Sequence, residues 1–254
     1  MFMWNKYLVE DLYELVECKL WVLPFVHGYI SQINFQDMNK KCSVTLISRR
    51  SRLYAGTRYL KRGINTLGHC SNQVETEQIL SVHTNSALAD SHPILSSYVQ
   101  LRASIPFFWS QTPSAVTPKP DIIVDRQIDE RGHCTKKHFA QLFRKYSRNI
   151  VCLNLTKKNN DREAPLSQDY EHFVNRVLNK NMPTQLRTIY IHYDVKQNTK
   201  DRKKLKEEEL YEKIKNGGQV FPYNLLDIAA KAIEKTGFFS CKPVNSVGLC
   251  KIEI

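Results

Sequence analysis

The sequence predicts an α/β fold in which a largely parallel sheet is covered by helices. From about residue 136 onward, apolar runs of strand length alternate with stretches of helical periodicity. The predicted strands are "NIVCLNL" and "RTIYIHYDV", and the predicted helices are 136–147, 167–180, 205–215 and 224–236. Strands separated by helices favour a parallel sheet with both faces covered. The two strands are therefore predicted to be parallel neighbours.

The first half of the chain is predicted to mix helix and strand. Residues 4–18 place apolar side chains at helical spacing, whereas 20–33, 41–48 and 96–106 have the apolar content or alternation of strands. The segment "SNQVETEQILSV" is compatible with a strand or a short helix. Four side chains in or beside apolar runs are predicted to belong to the core: His27, Phe107, Phe108 and Trp109.

The chain is strongly basic, which restricts its partners. It has 254 residues, a formal net charge of +12 and a pI near 9.3. Such a charge attracts nucleic acid, anionic lipid surfaces or phosphorylated small molecules. No nucleic-acid motif is present, so nucleic acid is not predicted as a partner. The sequence shows no signal peptide and no apolar run long enough to span a membrane, which predicts a cytoplasmic location.

Cysteine usage argues against a metal centre. The chain has seven scattered cysteines and no Cys-x-x-Cys pair, so neither a zinc site nor a disulfide framework is predicted. Reduced thiols are the expected state. No cofactor is predicted.

Residues 52–65, "RLYAGTRYLKRGIN", combine four basic residues with two glycines. Leucine and tyrosine side chains lie between the charges, which is not the composition of a flexible linker. The glycines are not typical of a solvated helix face. The first interpretation of this segment is therefore an anion-binding surface.

This segment and several others together resemble the Sac-domain phosphoinositide phosphatases. The family is marked by the run that reads here "RRSRLYAGTRYLKRGINTLGHCSNQVETEQI" and by a second block, here "SYVQLRASIPFFW". The stretches "FMWNKYL", "LPFVHGYI", "FRKYSRNIVCLNLTKK" and "KTGFF" are also similar to the family, in the same order along the chain. By this resemblance, residues 1–48 correspond to the end of the family's N-terminal subdomain, and residues 49–254 to the first part of its catalytic domain.

The resemblance implies dephosphorylation of phosphoinositide headgroups by a cysteine-phosphatase mechanism. It implies phosphoinositide lipids on anionic membrane surfaces as partners, and a peripheral location on endomembranes. The candidate headgroup contacts are Arg58, Lys61, Arg62 and Arg102. Arginine binds phosphate bidentately, while lysine acts as a point charge. In the alternative interpretation, the arginines pair with Glu75 and Glu77 of "VETEQ" and hold loops together.

The sequence also departs from the family pattern. Ala103 stands where glycine is usual, and Ser71 stands where alanine is usual. The family's catalytic Cys-x5-Arg is absent, because none of the seven cysteines has arginine six positions later. The chain is therefore expected to end before the catalytic loop and to be inactive as written. The alternative is a non-catalytic phosphoinositide-binding or scaffold module of the same family.

Overall fold

A six-stranded antiparallel sheet dominates the computed structural model. Its strands, in spatial order, are β1 (Gly28–Asp37), β2 (Lys40–Arg50), β3 (Val74–His83), β4 (Ile94–Arg102), β9 (Phe239–Val244) and β10 (Leu249–Glu253). The structure describes residues 1–15, 22–37, 40–57, 60–83, 93–111, 120–147, 149–157, 160–180, 182–197, 223–244 and 249–253. The chain divides into two units, Met1–Ser104 with Phe238–Ile254 and Ile105–Gly237, which are described separately.

In the first unit, consecutive hairpins fix which residues meet at each end of the sheet. Arg50, the last residue of β2, is opposite Val74, the first residue of β3, and Val74 is in turn opposite Arg102 at the end of β4. The loop of residues 51–73 joins β2 to β3. This loop and Arg102 therefore lie at the same end of the sheet.

The N-terminal helix is tied to the strands by polar contacts. Helix α1 spans Lys6–Leu15, within the predicted 4–18. Just before it, the indole Nε1 of Trp4 donates to the carbonyl oxygen of Arg50 at 2.9 Å. His27 is exposed, with its ring 5.2 Å from that of Trp4. The prediction that His27 is a core residue is wrong, because the chain enters the sheet only at Gly28.

The second unit holds a small hydrophobic core between helices and a parallel strand pair. Strand β7 (Val151–Asn154) pairs in parallel with β8 (Ile189–His192), as predicted for "NIVCLNL" and "RTIYIHYDV". The helices are α2 (His133–Tyr146), α3 (Ala164–His172), a π-helical segment (Phe173–Leu178), a 3-10 turn (Thr184–Leu186) and α4 (Tyr223–Thr236). Phe139, Cys152, Phe173 and Val174 form the buried cluster.

Aromatic contacts close this core from the side of residues 105–111. Phe107 meets Phe173 edge to face, with ring centroids 5.8 Å apart, a geometry that aromatic pairs favour. Phe108 and Trp109 are half-buried, as Phe107 is, so none of these three predicted core residues is fully buried, and Phe107 packs against the core. Trp109 begins the short strand β5 (Trp109–Ser110), which pairs with β6 (Ile123–Val124) in antiparallel.

The predicted fold class is confirmed as α/β, but its largely parallel sheet is not. Within the described residues, parallel pairing is limited to β7 and β8, and the large sheet is antiparallel. The predicted helix at 205–215 lies outside the described residues. None of the helices that the structure describes is long and apolar enough to cross a membrane. The boundary at residue 48, drawn from family resemblance, stays a prediction.

Candidate functional site

The loop of residues 51–73, here called the basic loop, carries most of the candidate residues and has its own buried base. Ser51, Cys70 and Ser71 are 0% exposed, and Ile64 is 2% exposed. The backbone amide of Ser51 donates to Gln73 at 2.8 Å, and that of Ser71 donates to Gly63 at 2.8 Å. Both limbs are therefore fastened to each other, and the loop has a defined conformation where the structure describes it.

Arg50 organises the basic loop from the end of β2. One terminal nitrogen of its guanidinium donates to the carbonyl oxygen of Gly56 and to Oδ1 of Asn72, both at 2.8 Å. The amide of Asn72 then donates to the carbonyl oxygen of Lys61 at 3.2 Å. Asn72 holds this position with φ of 53°, in the left-handed region that asparagine tolerates better than most residues. Arg50 thereby fixes the segment that presents Lys61.

Lys61 is held against an aromatic ring. Its ammonium lies 4.8 Å from the centroid of the Tyr54 ring, within the range of a cation–π interaction. Tyr54 has φ of 54°, a left-handed conformation unusual for an aromatic residue. Gly56 packs directly against the side-chain stem of Lys61, where a Cβ would collide with Cγ. Non-glycine residues in such conformations cluster at ligand sites, so this geometry is consistent with a functional loop.

The far end of the basic loop is a tight turn. Ile64 forms an isolated antiparallel bridge with Cys70. Oδ1 of Asn65 accepts hydrogen bonds from the backbone amides of Leu67 and His69, at 3.1 and 2.9 Å. Gly63 precedes the turn with φ of 62°, which suits glycine at this position. Arg62, between Lys61 and Gly63, is half-buried.

The second sequence block meets the basic loop through two serines. The hydroxyl of Ser71 donates to the hydroxyl of Ser104 at 2.7 Å, and the amide of Ser104 donates to the carbonyl oxygen of Ser71 at 3.2 Å. Arg102, two residues earlier, is exposed at the end of β4. The structure thus brings Lys61, Arg62 and Arg102 to one end of the first unit's sheet. Arg58 lies outside the described residues.

The acidic pair of "VETEQ" contacts Arg49, which is not one of the candidate arginines. Arg49 donates to Glu75 at 3.0 Å and to Glu77 at 2.6 Å across the β2–β3 ladder. These hydrogen bonds raise the pKa of the Arg49 guanidinium, chiefly through Glu77. Alternation along β2 places Arg49 opposite Glu75, so assuming this hairpin would have revealed the pair.

His192 and Asp194, at the end of β8, have local structural partners. Nε2 of His192 lies 3.0 Å from the carbonyl oxygen of Thr156, and Oδ1 of Asp194 accepts from the amide of Gln197 at 3.0 Å. These contacts favour a role in holding loops of the second unit.

The described thiols are poorly placed for nucleophilic chemistry. Among the described cysteines, Cys42, Cys70, Cys134 and Cys152 are not disulfide-bonded, in line with the expected reduced state, whereas Cys241 is disulfide-bonded, against that expectation. Burial raises the pKa of Cys152 to about 11, against a smaller lowering by Tyr170, and it also raises the pKa of Cys70. Because the thiolate is the nucleophile, these two residues are held in their unreactive form.

Comparison with known proteins gives a consistent set of relatives. Residues 1–200 match the profile of the SacI homology domain. A phosphoinositide phosphatase of Arabidopsis thaliana is 34% identical over 253 residues, which cover 98% of this chain and 30% of that protein. A phosphatidylinositol-3-phosphatase of the same plant is 40% identical over 196 residues, covering 76% of this chain and 21% of the relative. A polyphosphoinositide phosphatase of Schizosaccharomyces pombe is 34% identical over 247 residues, covering 94% and 28% respectively. The chain therefore spans less than a third of the length of these relatives.

Proposed function

The chain belongs to the SacI homology domain family, and we propose on that basis that it serves phosphoinositide dephosphorylation by contributing contacts to the lipid headgroup. Its relatives are named as phosphoinositide phosphatases. The proposed partners are phosphoinositide lipids, and the proposed location is peripheral to endomembranes. The proposed headgroup contacts are Arg58, Lys61, Arg62 and Arg102.

The observation that carries this proposal is the way Arg50 and Asn72 hold the basic loop. Their hydrogen bonds fix the backbone at Gly56 and Lys61, so the loop is shaped before any ligand arrives. A preorganised cation loses less conformational entropy when it binds phosphate than a mobile one does. Lys61 is also oriented by Tyr54, and Arg102 lies at the same end of the sheet.

The test is binding to vesicles that contain phosphorylated phosphatidylinositol. Each basic residue near an anionic membrane contributes about 1 kcal/mol, so Lys61→Ala combined with Arg62→Ala should weaken partitioning by roughly thirtyfold. Added salt should weaken wild-type binding too, because exposed charges are screened.

The matched control removes two lysines at the opposite end of the same strand. Lys40 and Lys41 are exposed at the start of β2, about 30 Å from Arg50 at the usual rise per residue. Lys40→Ala combined with Lys41→Ala changes the net charge by the same amount and should leave partitioning nearly unchanged. Equal losses in both double variants would show that net charge alone drives binding, and would contradict a specific contact between the basic loop and the headgroup.

We further propose that the 254 residues alone release no phosphate. Phosphate monoester hydrolysis is among the slowest uncatalysed reactions, and basic residues without an activated nucleophile do not overcome its barrier. No cysteine here has arginine six positions later, and burial raises the pKa of Cys70 and Cys152. These observations also favour the second candidate function, a non-catalytic phosphoinositide-binding module. Any phosphate release by the 254 residues would contradict this proposal, and release that survives replacement of every cysteine would also contradict the cysteine mechanism.

A further inference from the structure

The second unit contains a cationic pocket that the proposed function does not use. It has a volume of about 580 Å³. Its lining includes Lys136, His172, Arg176 and Lys180, together with apolar side chains such as Leu178 and Met182. All four of the basic or histidine side chains are exposed, while Leu178 and Met182 are half-buried. The pocket thus combines a cationic rim with partly apolar walls.

The π-helical segment brings three of these side chains to one side. His172 ends α3, Arg176 lies within the π-helical residues 173–178, and Lys180 follows them. The amide of Asn179 donates to the carbonyl oxygen of Val174 at 3.2 Å, a bond spanning five residues. Residues spaced four apart lie close together on a helical surface. Single π turns of this kind occur frequently at functional sites.

Lys136 reaches the same pocket because α2 approaches this helix closely. Gly132, at the start of α2, has φ of 62°, and a Cβ there would come within 2.5 Å of the Phe173 ring. The amide of Lys136 donates to the carbonyl oxygen of Gly132 at 2.8 Å in the first turn of the helix. Glycine at this position therefore allows the contact that places Lys136 beside the π-helical segment.

The segment after the π-helix is also fixed. Asn179 is 7% exposed, and its side chain forms two hydrogen bonds with the backbone of Thr188, at 2.8 and 3.0 Å. The amide of Met182 donates to the carbonyl oxygen of Asn179 at 3.2 Å. Asn179, beside Lys180, and Met182 are consequently held in place, and these parts of the pocket wall are built into the fold.

Two carboxylates of the second unit, Asp169 and Glu163, have cationic or backbone partners away from the pocket. Asp169 of α3 binds Arg126 at 2.8 Å, and Glu163 accepts from the amide of Lys157 at 2.8 Å. The ammonium of Lys136 donates to a neutral acceptor, the carbonyl oxygen of Arg131, at 3.1 Å. Among the described residues, no aspartate or glutamate lines the pocket. The local charge is therefore positive, and its natural complement is an anion.

We propose that this pocket binds a small molecule or headgroup carrying several phosphate groups. Lysine and arginine are the usual partners of phosphate, and the volume falls within the range of small-molecule sites. Four side chains able to carry positive charge exceed what a single carboxylate ligand requires. The proposal concerns residues other than those of the basic loop and stands whether or not that loop binds lipid.

The test uses the full chain and inositol hexakisphosphate as a probe, with binding followed by calorimetry. Lys136→Gln and Arg176→Gln should each weaken binding by about tenfold, since each removes a charge-assisted contact. Lys137→Gln is the matched control, because Lys137 is an exposed neighbour on the same helix and does not line the pocket. It should change the affinity less than twofold.

A second measurement, by NMR, separates binding at this pocket from binding at the basic loop and from a loss of folding. The Met182 methyl resonance should shift on titration in wild type and in the Lys61→Ala, Arg62→Ala variant at similar probe concentrations, and in Arg176→Gln only at about tenfold higher concentration. Vesicles carrying phosphorylated phosphatidylinositol distinguish the ligand's source. If Arg176→Gln weakens vesicle binding as well, the ligand is a lipid headgroup, and if only the soluble probe is affected, it is a soluble polyphosphate. No binding at millimolar probe, or equal losses in Arg176→Gln and Lys137→Gln, would overturn the proposal.

Discussion

The hydroxyl of Ser71 donates a hydrogen bond of 2.7 Å to the hydroxyl of Ser104, although the two residues are 33 positions apart. Ser71 is 0% exposed and belongs to the basic loop, whereas Ser104 follows the end of β4. The bond joins the two longest sequence blocks of the chain. Ser71 stands where alanine is usual in the family, and alanine could not donate this hydrogen bond.

A double-mutant cycle should measure that link. Ser71→Ala is expected to lower the free energy of unfolding by about 1 kcal/mol, since a buried hydroxyl partner is lost. Ser104→Ala should cost about the same, and the two substitutions together should cost less than their sum. Urea denaturation of the four proteins supplies the values. Simple additivity would mean that the two hydroxyls do not interact in solution.

Arg49 should matter for stability because it binds two acidic side chains on β3. The side chain of Glu75 is 8% exposed and that of Arg49 is 26% exposed, so the pair is only partly screened by solvent. We expect Arg49→Met to lower the free energy of unfolding by about 1–3 kcal/mol, because a largely buried carboxylate loses a partner. Arg52→Met is the control, since Arg52 is exposed and should change stability by less than about 0.5 kcal/mol. Equal effects would argue against the cross-strand pair.

Two glycines with similar backbone angles should respond differently to alanine. Gly132 has φ of 62° and Gly237 has φ of 71°, so alanine at either position is strained by about 1 kcal/mol. At Gly132 the new methyl also meets the buried Phe173 ring, whereas at Gly237 no described atom lies within 4 Å. Gly132→Ala should therefore be the more destabilising substitution, by roughly a further 1–3 kcal/mol. Thermal unfolding that ranks the two equally would show that the α2 contact is looser than described.

The buried thiols should make stability fall at alkaline pH. Cys152 has its pKa raised to about 11 in the folded chain, from an ordinary value of 9.0. Because the Cys152 thiol holds its proton more tightly in the folded chain, it stabilises the folded state at pH below 9. This stabilisation is lost as the pH rises from 9 to 11. The free energy of unfolding should decline over this interval by up to about 1.4 kcal/mol per pH unit for this thiol. Replacing Cys152 by alanine should make the decline shallower, and an unchanged slope would exclude this thiol as its cause.

Local sequence pattern was enough to predict several elements of the second unit. Helices α2 and α4 and the strands β7 and β8 were all predicted, because their periodicity reflects a face that packs locally. The parallel neighbours β7 and β8 also follow from the intervening helix. The π-helical segment was not predicted, because a single π turn does not change the spacing of apolar residues in the sequence enough to be distinguished from an α-helix.

Long-range pairing explains why the last two strands of the large sheet, β9 and β10, were not predicted. Strand β9 pairs with β4 through Leu95 and Cys241, which are well over a hundred positions apart. Neither segment carries a pattern that identifies such a distant partner. The parallel sheet was predicted only from the alternation of strands with helices. In the candidate site, composition identified the basic loop, but it could not show that Arg50 shapes the loop while Arg49 binds the acidic pair.

Hydrogen–deuterium exchange of the chain on vesicles tests most directly whether the basic loop contacts the lipid headgroup. Amides of residues 60–73 should exchange more slowly with vesicles containing phosphorylated phosphatidylinositol than with vesicles containing unphosphorylated phosphatidylinositol. Amides of Lys40 and Lys41, at the other end of β2, should not distinguish the two. We expect protection of the basic loop that depends on headgroup phosphate. Identical exchange of residues 60–73 on both vesicles, at concentrations where the chain is bound, would contradict it.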